Sequence, residues 1–286
     1  MPWVERPFSL SRMPELPEVE TMVREVRSAL LGRRIRSASL SHVDVLRGVT
    51  RPRLLKVLTG ATIRDVTRRA KHGVIHLDDY RFVLQPGMTG NLLIYDRPLT
   101  PEEAKYAVLR ARLDSGAEFV FRDIRRIGTL LLLNQKGWAA YDRALGPEPL
   151  DPGLTPEGFE WALSRSNQAI KKVLMDQRKV VGVGNIYANE ALFAAGIDPS
   201  KPASRVAPDA WRLLYRETRR ILQAAIDAEG TTFRDYRTAT GQPGNFQLEL
   251  LVYERQGEPC RRCGTRLSGT HDIDARITVF CHRCQR

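Results

Sequence analysis

Between residues 19 and 30 the apolar side chains Val19, Met22, Val23, Val26 and Leu30 recur every three or four positions, the rhythm of a helix with one buried face. Pro17 stands where a first helical turn tolerates a missing amide proton, and Gly32 where a helix stops. One amphipathic helix is therefore expected directly after the LPE turn. From Ile35 to Leu133 the rhythm changes to short runs, GVIHL, RFVLQP, LLIY, AVLRARL, AEFVF and TLLLL, partly alternating in polarity and broken by Gly, Pro, Asp or Asn. Such runs predict an antiparallel β-sandwich or barrel. Residues 145 to 156, LGPEPLDPGLTP, are dense in Pro and Gly and read as a linker. Beyond it, residues 156 to 165, 168 to 177, 185 to 195 and 208 to 228 each return to helical spacing, so the second half is expected to be mainly helical. The pattern as a whole predicts an α+β, bilobal protein without internal repeats.

At 286 residues and 42% apolar side chains the chain can bury two cores. Forty-five Lys and Arg against 33 Asp and Glu leave a net charge of +12. A surplus of that size favours a polyanion through counterion release, nucleic acid first among them. A solvated basic surface or an anionic membrane surface is the plainer alternative, but no apolar run approaches the roughly 18 residues of a spanning helix. Residues 1 to 12 lack the apolar stretch of a secretory signal. A soluble, unexported protein is expected.

All four cysteines lie close to the C-terminus, as Cys260 and Cys263 in CRRC and Cys281 and Cys284 in CHRC. Two CxxC knuckles separated by residues 264 to 280 let four thiolates converge on one structural Zn²⁺ with no coordination position left open. Two disulfides are the alternative, disfavoured in a chain with no other cysteine and no export signal. His271 and His282 are surplus to a four-thiolate site and are expected at the surface or facing DNA. The arginine-rich stretch from Arg255 to Arg286 makes this hairpin a candidate nucleic-acid contact.

Other stretches leave two readings open on spacing alone. VVGVGNIYANEALFAAG sets a glycine turn before a helix that Asn185 can cap, either a phosphate site at a helix start or simply a turn. Lys71, in TRRAKHG, reads as an exposed basic face. Arg125 and Arg126 beside Ile127, in RDIRRIG, fit a wedge between base steps or cations snorkelling at a sheet edge. Met88, in PGMTG, fits a loop anchor better than an outward probe.

Taken together, MPELPEVET, RRAK, GMTG, RRIG, LGPEPL, AIK, KVVGVGNIYANEALFAAGI and the paired CxxC, in this order, resemble the bacterial formamidopyrimidine-DNA glycosylases from Pro14 to the C-terminus. The resemblance implies an N-terminal catalytic β-sandwich domain with flanking helices (13–144), the linker (145–156), a helix-two-turns-helix DNA-binding domain (157–250) and a four-cysteine zinc hairpin (251–286). It implies a monomeric base-excision-repair enzyme, bacterial, cytoplasmic and nucleoid-associated, acting on double-stranded DNA that carries an oxidised base or an abasic site. Oxidised purines such as 8-oxoguanine and formamidopyrimidines would be flipped out, because the sugar C1′ is unreachable inside the stack. The nucleophile would be the free amine of Pro14, which requires either that the chain starts at Met13 and loses it, the simplest case, or that the extension of residues 1 to 12 is removed; the native enzyme is expected to lack that extension. Glu15 would protonate the opening sugar, and Lys71 and Arg276 would bind phosphates and assist β,δ-elimination.

By the same resemblance Asn185 contacts backbone phosphate, Met88, Arg125 and Ile127 fill the gap left by the flipped nucleotide, and Lys171 lies near the lesion. Tyr106, Arg126 and Arg165 join the DNA-binding candidates, and residues 232 to 246 match a loop that covers the damaged base. Ile127 stands where Phe is usual, Tyr106 where His is common, and QPGM replaces HLGM. The competing readings are an endonuclease VIII-like glycosylase for oxidised pyrimidines, whose relatives begin PEGPE where this chain has Leu16, and a non-catalytic zinc-dependent DNA-binding protein if the N-terminus is blocked.

Overall fold

The structure is a computed structural model that describes residues 13–231 and 245–286. Helix α1 (Leu16–Leu30) forms on the predicted apolar face, but the LPE stretch is its first turn rather than a turn before it. Two features start it early: Pro17 brings a helical φ, and the Glu18 carboxylate accepts from the Glu15 amide at 2.9 Å. Gly32 then takes φ +75, ending the helix as its position suggested.

There follow β1 (Ile35–Leu40), β2 (Leu46–Arg47), α2 (Arg51–Leu58), β3 (Asp65–Arg69), β4 (His72–His76), β5 (Tyr80–Gln85), β6 (Gly90–Tyr95), α3 (Pro101–Lys105), β7 (Ala107–Leu113), β8 (Glu118–Asp123), β9 (Thr129–Asn134) and α4 (Gln135–Arg143). The strands make two sheets, ordered β1-β7-β8-β6 and β2-β9-β5-β4-β3. The sandwich expected from the alternating runs is present, with two departures. Helices α2 and α3 interrupt the strand region, and β2 pairs with β9 in parallel. Both helices are short: α2 buries only Leu54 and Leu58, too few positions to display a helical period. Helix α3 owes its start to a capping box, in which the Glu103 carboxylate accepts from the Thr100 amide at 2.7 Å and Thr100 Oγ1 from the Glu103 amide at 3.3 Å. Phe82 and Leu84 of one sheet, Leu92, Leu109, Phe119 and Phe121 of the other, and Val19 to Leu30 of α1 form one apolar core.

After residues 144–155, which hold no helix or strand, come α5 (Pro156–Leu163), α6 (Ile170–Leu174), α7 (Asn185–Ala195) and α8 (Pro208–Asp227). Every residue of α7 is buried, so it is the central helix of this lobe, and Phe159 and Trp211 pack edge to face beside it. A hairpin of β10 (Ser268–Thr270) and β11 (Thr278–Phe280) closes the chain, seated on α7 through Phe193, Val252, Leu267 and Val279. Leu16 belongs to the helical lobe's core, whereas Val19 onward belongs to the sandwich core. Helix α1 is thus shared between the lobes.

Candidate active site at the seam between the lobes

Because α1 starts in one lobe's core and continues in the other's, its first residues lie on the seam. The Leu16 amide donates to the Gly182 carbonyl at 3.0 Å, and buried Glu15 sends its carboxylate onto the start of α7, accepting from the Gly184 amide at 2.5 Å and the Ile186 amide at 2.9 Å. This is the anion site that a helix N-terminus offers, filled from within the chain. The expected Asn185 cap is corrected by this geometry. Gly184 is the N-cap residue, and the Asn185 side chain donates instead from Nδ2 to the Ile277 carbonyl at 3.1 Å. A phosphate cannot use amides that Glu15 already occupies. Gly184 has a steric reason: a Cβ there would fall 2.4 Å from Glu15 Cδ and 2.6 Å from Lys71 Nζ.

Glu18, which the sequence reading passed over, organises the same point. It is buried and accepts from Tyr187 Oη at 2.5 Å, the Thr231 amide at 2.9 Å and the Glu15 amide. Its spacing three residues after Glu15 was the available signal. Burial raises the pKa of both acids. For Glu15 the Lys71 cation opposes that rise and the neighbouring Glu18 adds to it.

Lys71 sits in the β3–β4 turn after Ala70, whose φ of +56 is unusual for a residue with a Cβ. The linker holds that turn. Glu148 accepts from Arg68 at 2.7 Å, Arg69 at 3.1 Å and the Ala70 amide at 2.7 Å. Lys71 is pushed down by burial, with Arg276 adding to the effect and Glu15 opposing it. Lys171 is fully buried on α6, donates to Thr278 Oγ1 at 2.7 Å and lies 3.9 Å from Asp274; burial brings it down to about 8. Arg276 shares that carboxylate, its amide donating at 2.7 Å and its guanidinium at 3.3 and 3.4 Å. Glu15, Lys71, Lys171 and Arg276 are therefore gathered from four separate stretches, with buried Pro14 beside them in the chain.

A second group forms at the sheet end. A Cβ on Gly87 would meet Gly128 and Ile127 within 3.0 Å, Thr89 Oγ1 bonds the Asp123 carboxylate, and the Arg125 amide donates to Thr89 Oγ1 at 3.1 Å. The loops bearing Met88, Arg125 and Ile127 are thereby locked together. Ile127 is 42% exposed, while Met88 is half-buried. The QPGM stretch has a defined geometry, with Gly87 at φ +66 and Gln85 Oε1 accepting from Thr129 at 3.0 Å. Arg126 turns to Asp44 at 3.6 Å, and the ring of Tyr106, at the end of α3, has the cations of Lys105 and Arg122 within 5.2 and 5.5 Å of its centroid. Arg165 lies over the exposed ring of Trp161, at 4.5 Å from its centroid. His271 and His282 are exposed. Residues 1 to 12 and 232 to 244, which include most of the lesion-covering loop, lie outside the described residues.

The four cysteine sulfurs lie within 4.8 Å of one another, with Cys263–Cys281 at 3.5 Å and Cys260–Cys284 at 4.0 Å. Tetrahedral Zn–S bonds of about 2.3 Å require sulfurs about 3.8 Å apart, so the four thiolates fit one structural zinc ion. Among the described residues no helix is long and apolar enough to cross a membrane.

A β-sandwich and a helical lobe joined by a shared helix, with a buried acid, two lysines and an arginine converging at the seam and a four-cysteine hairpin beside them, define a two-lobed zinc-hairpin protein with an enzyme-like centre. Residues 13–130 match the Formamidopyrimidine-DNA glycosylase N-terminal domain, and residues 145–237 the Formamidopyrimidine-DNA glycosylase H2TH domain. The chain is 42% identical over 277 residues to the formamidopyrimidine-DNA glycosylase of Xanthomonas axonopodis pv. citri, covering 96% of this chain and 100% of that one. Among solved structures, a Lactococcus lactis Fpg variant bound to DNA containing Fapy-dG superposes with a TM-score of 0.86 at 32% identity, covering 96% of this chain and 100% of that one. MutM (Fpg) from Thermus thermophilus superposes at 0.83 with 35% identity, covering 95% and 98%. The chain belongs to the formamidopyrimidine-DNA glycosylase family.

Proposed function

We propose that the protein is a bifunctional DNA glycosylase and abasic-site lyase of base excision repair, acting as a monomer on duplex DNA with an oxidised purine or an abasic site, in the bacterial cytoplasm at the nucleoid. The observation that carries this reading is the docking of Glu15 onto the α7 amides, which sets neighbouring Pro14 at the seam among Lys71, Lys171 and Arg276. In the active form the Met13–Pro14 bond is broken and Pro14 is a secondary amine. Its nitrogen bonds to C1′, the C1′–base bond breaks, and the base leaves with the electron pair and, in net terms, the proton that the amine gives up. The C1′–O4′ bond then opens, O4′ takes a proton from Glu15, and an iminium remains. Burial favours the protonated form of Glu15 needed for this step. The iminium accepts electrons when a C2′ proton is removed and the 3′ phosphate departs, and δ-elimination releases the 5′ phosphate. Lys71 and Arg276 hold the flanking phosphates, as does Asn185; Lys171 lies near the base; Met88, Arg125 and Ile127 fill the vacated space, with Tyr106, Arg126 and Arg165 as further DNA contacts. The domain division at 13–144, 145–156, 157–250 and 251–286 is part of this proposal, and the zinc ion holds the hairpin.

Borohydride reduces an iminium to a permanent crosslink, which separates this enzyme from a zinc-dependent binder. Protein whose first residue is Pro14 is expected to crosslink to lesion DNA, and full-length chain shown by intact mass to retain residues 1 to 12 is expected to bind without crosslinking. Equal crosslinking by both would reject Pro14 as the nucleophile.

A further inference from the structure

Four segments leave one end of the five-stranded sheet, and the strand order fixes their sequence in space. The β3–β4 turn carries Lys71. Gly73 of β4 faces Leu84 of β5, Gln85 at the end of β5 faces Thr129 at the start of β9, and Leu46 of β2 runs parallel beside Leu130 of β9. Across the sheet end this gives Lys71, then the loop with Met88, then the loop with Ile127, then residues 41–45 ahead of β2. The first three carry the proposed phosphate and gap-filling contacts. The fourth, SHVDV, has none.

That loop has the properties of a contact surface. Val43 is 59% exposed, and it stands beside a loop whose Ile124 and Ile127 are 40% and 42% exposed. Single exposed aliphatics need no explanation; three on adjacent loops at one end of a sheet place apolar surface together where a partner can cover it. The loop is also rigid. The Ser41 amide donates to the Val108 carbonyl at 2.9 Å, the Leu46 amide to Val43 at 3.0 Å, and the Leu130 amide to Val45 at 2.9 Å. Asp44 faces Arg126 at 3.6 Å, and Arg126 holds a left-handed φ of +53 in the Ile127 loop. The one carboxylate here is thus balanced by a cation, which removes the repulsion it would exert on a phosphate.

We propose, on the reading that Met88, Arg125 and Ile127 enter the duplex, that residues 41–45 are a further DNA-engaging element of this sheet end. Val43 covers apolar sugar and base-edge surface on the intact strand, and Asp44 is a positioning residue that holds the Arg126–Ile127 turn. The strand order gives the reach. Three strand spacings of about 4.8 Å each separate β4 from β2, about 14 Å in all. That distance exceeds the roughly 6 Å width of a minor groove, long enough for Val43 to lie against the strand opposite the one that Lys71 holds.

The test measures Val43→Ala, Val43→Thr and Ile127→Ala by fluorescence anisotropy at one fixed salt concentration, on a duplex with an abasic analogue and on its lesion strand alone. A 2-aminopurine in the intact strand reports local stacking. Thermal midpoints check that each variant is folded. Val43→Ala is expected to weaken duplex binding roughly fivefold, the size of two half-covered methyl groups, and to change the 2-aminopurine signal. It should leave single-strand binding unaltered. Val43→Thr, equal in shape but more polar, should fall between. Duplex affinity unchanged in both Val43 variants, with Ile127→Ala weakened, would overturn this proposal and keep the wedge. Equal losses on duplex and single strand would also overturn it, and no loss in any variant would remove the wedge reading itself.

Discussion

At the scale of the residue, environment decides chemistry here more than residue type does. His72 is an example beside the candidate site. It is buried next to Lys71, its Nδ1 lies 2.6 Å from Tyr141 Oη, and burial together with the Lys71, Arg69 and Arg68 cations pushes its pKa from 6.5 to about 4. Between those two values the unfolded chain binds a proton that the folded chain refuses, so stability is lost as pH falls through this window. The loss amounts to about 3 kcal/mol by pH 4. Urea unfolding of wild type and His72→Gln at several pH values is expected to show the wild type losing stability more steeply below pH 6.5. Parallel curves would mean that His72 is charged in the folded protein. None of this was legible in the sequence, where His72 is one polar residue before an apolar run. Lys71 read as an exposed basic side chain for the same reason: its burial comes from α7 and Arg276, far away in the chain.

Elements show the opposite balance. The α1 stripe, the strand runs and the long α8 were legible because each repeats its period often enough to be seen. Helices α5 to α7 were placed by apolar positions that pack in the helical lobe, although the 168 to 177 segment is helical only over Ile170–Leu174, whereas α2 buries two residues and α3 none, so neither showed an apolar face. The zinc hairpin was legible from spacing alone, yet its attachment was not. Glu190, buried in the middle of α7, accepts from the Leu251, Val252 and Tyr253 amides at 2.8 to 2.9 Å and so fixes the chain that enters the hairpin. Beyond this anchor the hairpin's own core is small, Val252, Leu267 and Val279 around the cysteines and Phe193, so the metal must supply much of its stability. Cys281→Ser is expected to abolish bound zinc and to weaken DNA binding more than tenfold while the far-ultraviolet helical signal of α7 and α8 persists. Zinc content and anisotropy on the same preparation provide the check. Metal-free protein that binds as tightly as wild type would show that the hairpin makes no DNA contact.

In the whole molecule, the linker does more than separate two lobes. Glu148 reaches from it to Arg68, Arg69 and the Ala70 amide, and the Gly146 amide donates to Gln177 in the helical lobe at 2.9 Å. A segment that read as a Pro- and Gly-rich spacer thus ties the Lys71 turn to the loop ahead of α7. Glu148→Ala would leave two largely buried guanidinium groups short of a partner and the left-handed Ala70 turn unsupported. It is expected to cost about 2 to 3 kcal/mol of unfolding free energy and to slow borohydride trapping, because Lys71 loses its fixed position. Denaturant unfolding with the trapping time course measures both. A cost below about 0.5 kcal/mol, the level of an ordinary surface substitution, would show that the lobes are held elsewhere.

Features whose physical cause is local could be read from the order of residues. These are the amphipathic stripe of α1 with the glycine that ends it, the alternating runs of the sandwich and the CxxC knuckles, together with the ordered motifs that carry the family resemblance. Charge balance, equally readable, pointed to a polyanion. The tertiary structure alone decided that the α7 amides are taken by Glu15 rather than left for a phosphate, and that Glu18 and Tyr187 brace that contact. It alone decided that Lys171 and Arg276 share Asp274, and that residues 41–45 emerge next to Ile127. Each of these joins residues distant along the chain, and no local period or spacing records which distant residue will exclude water from which charge.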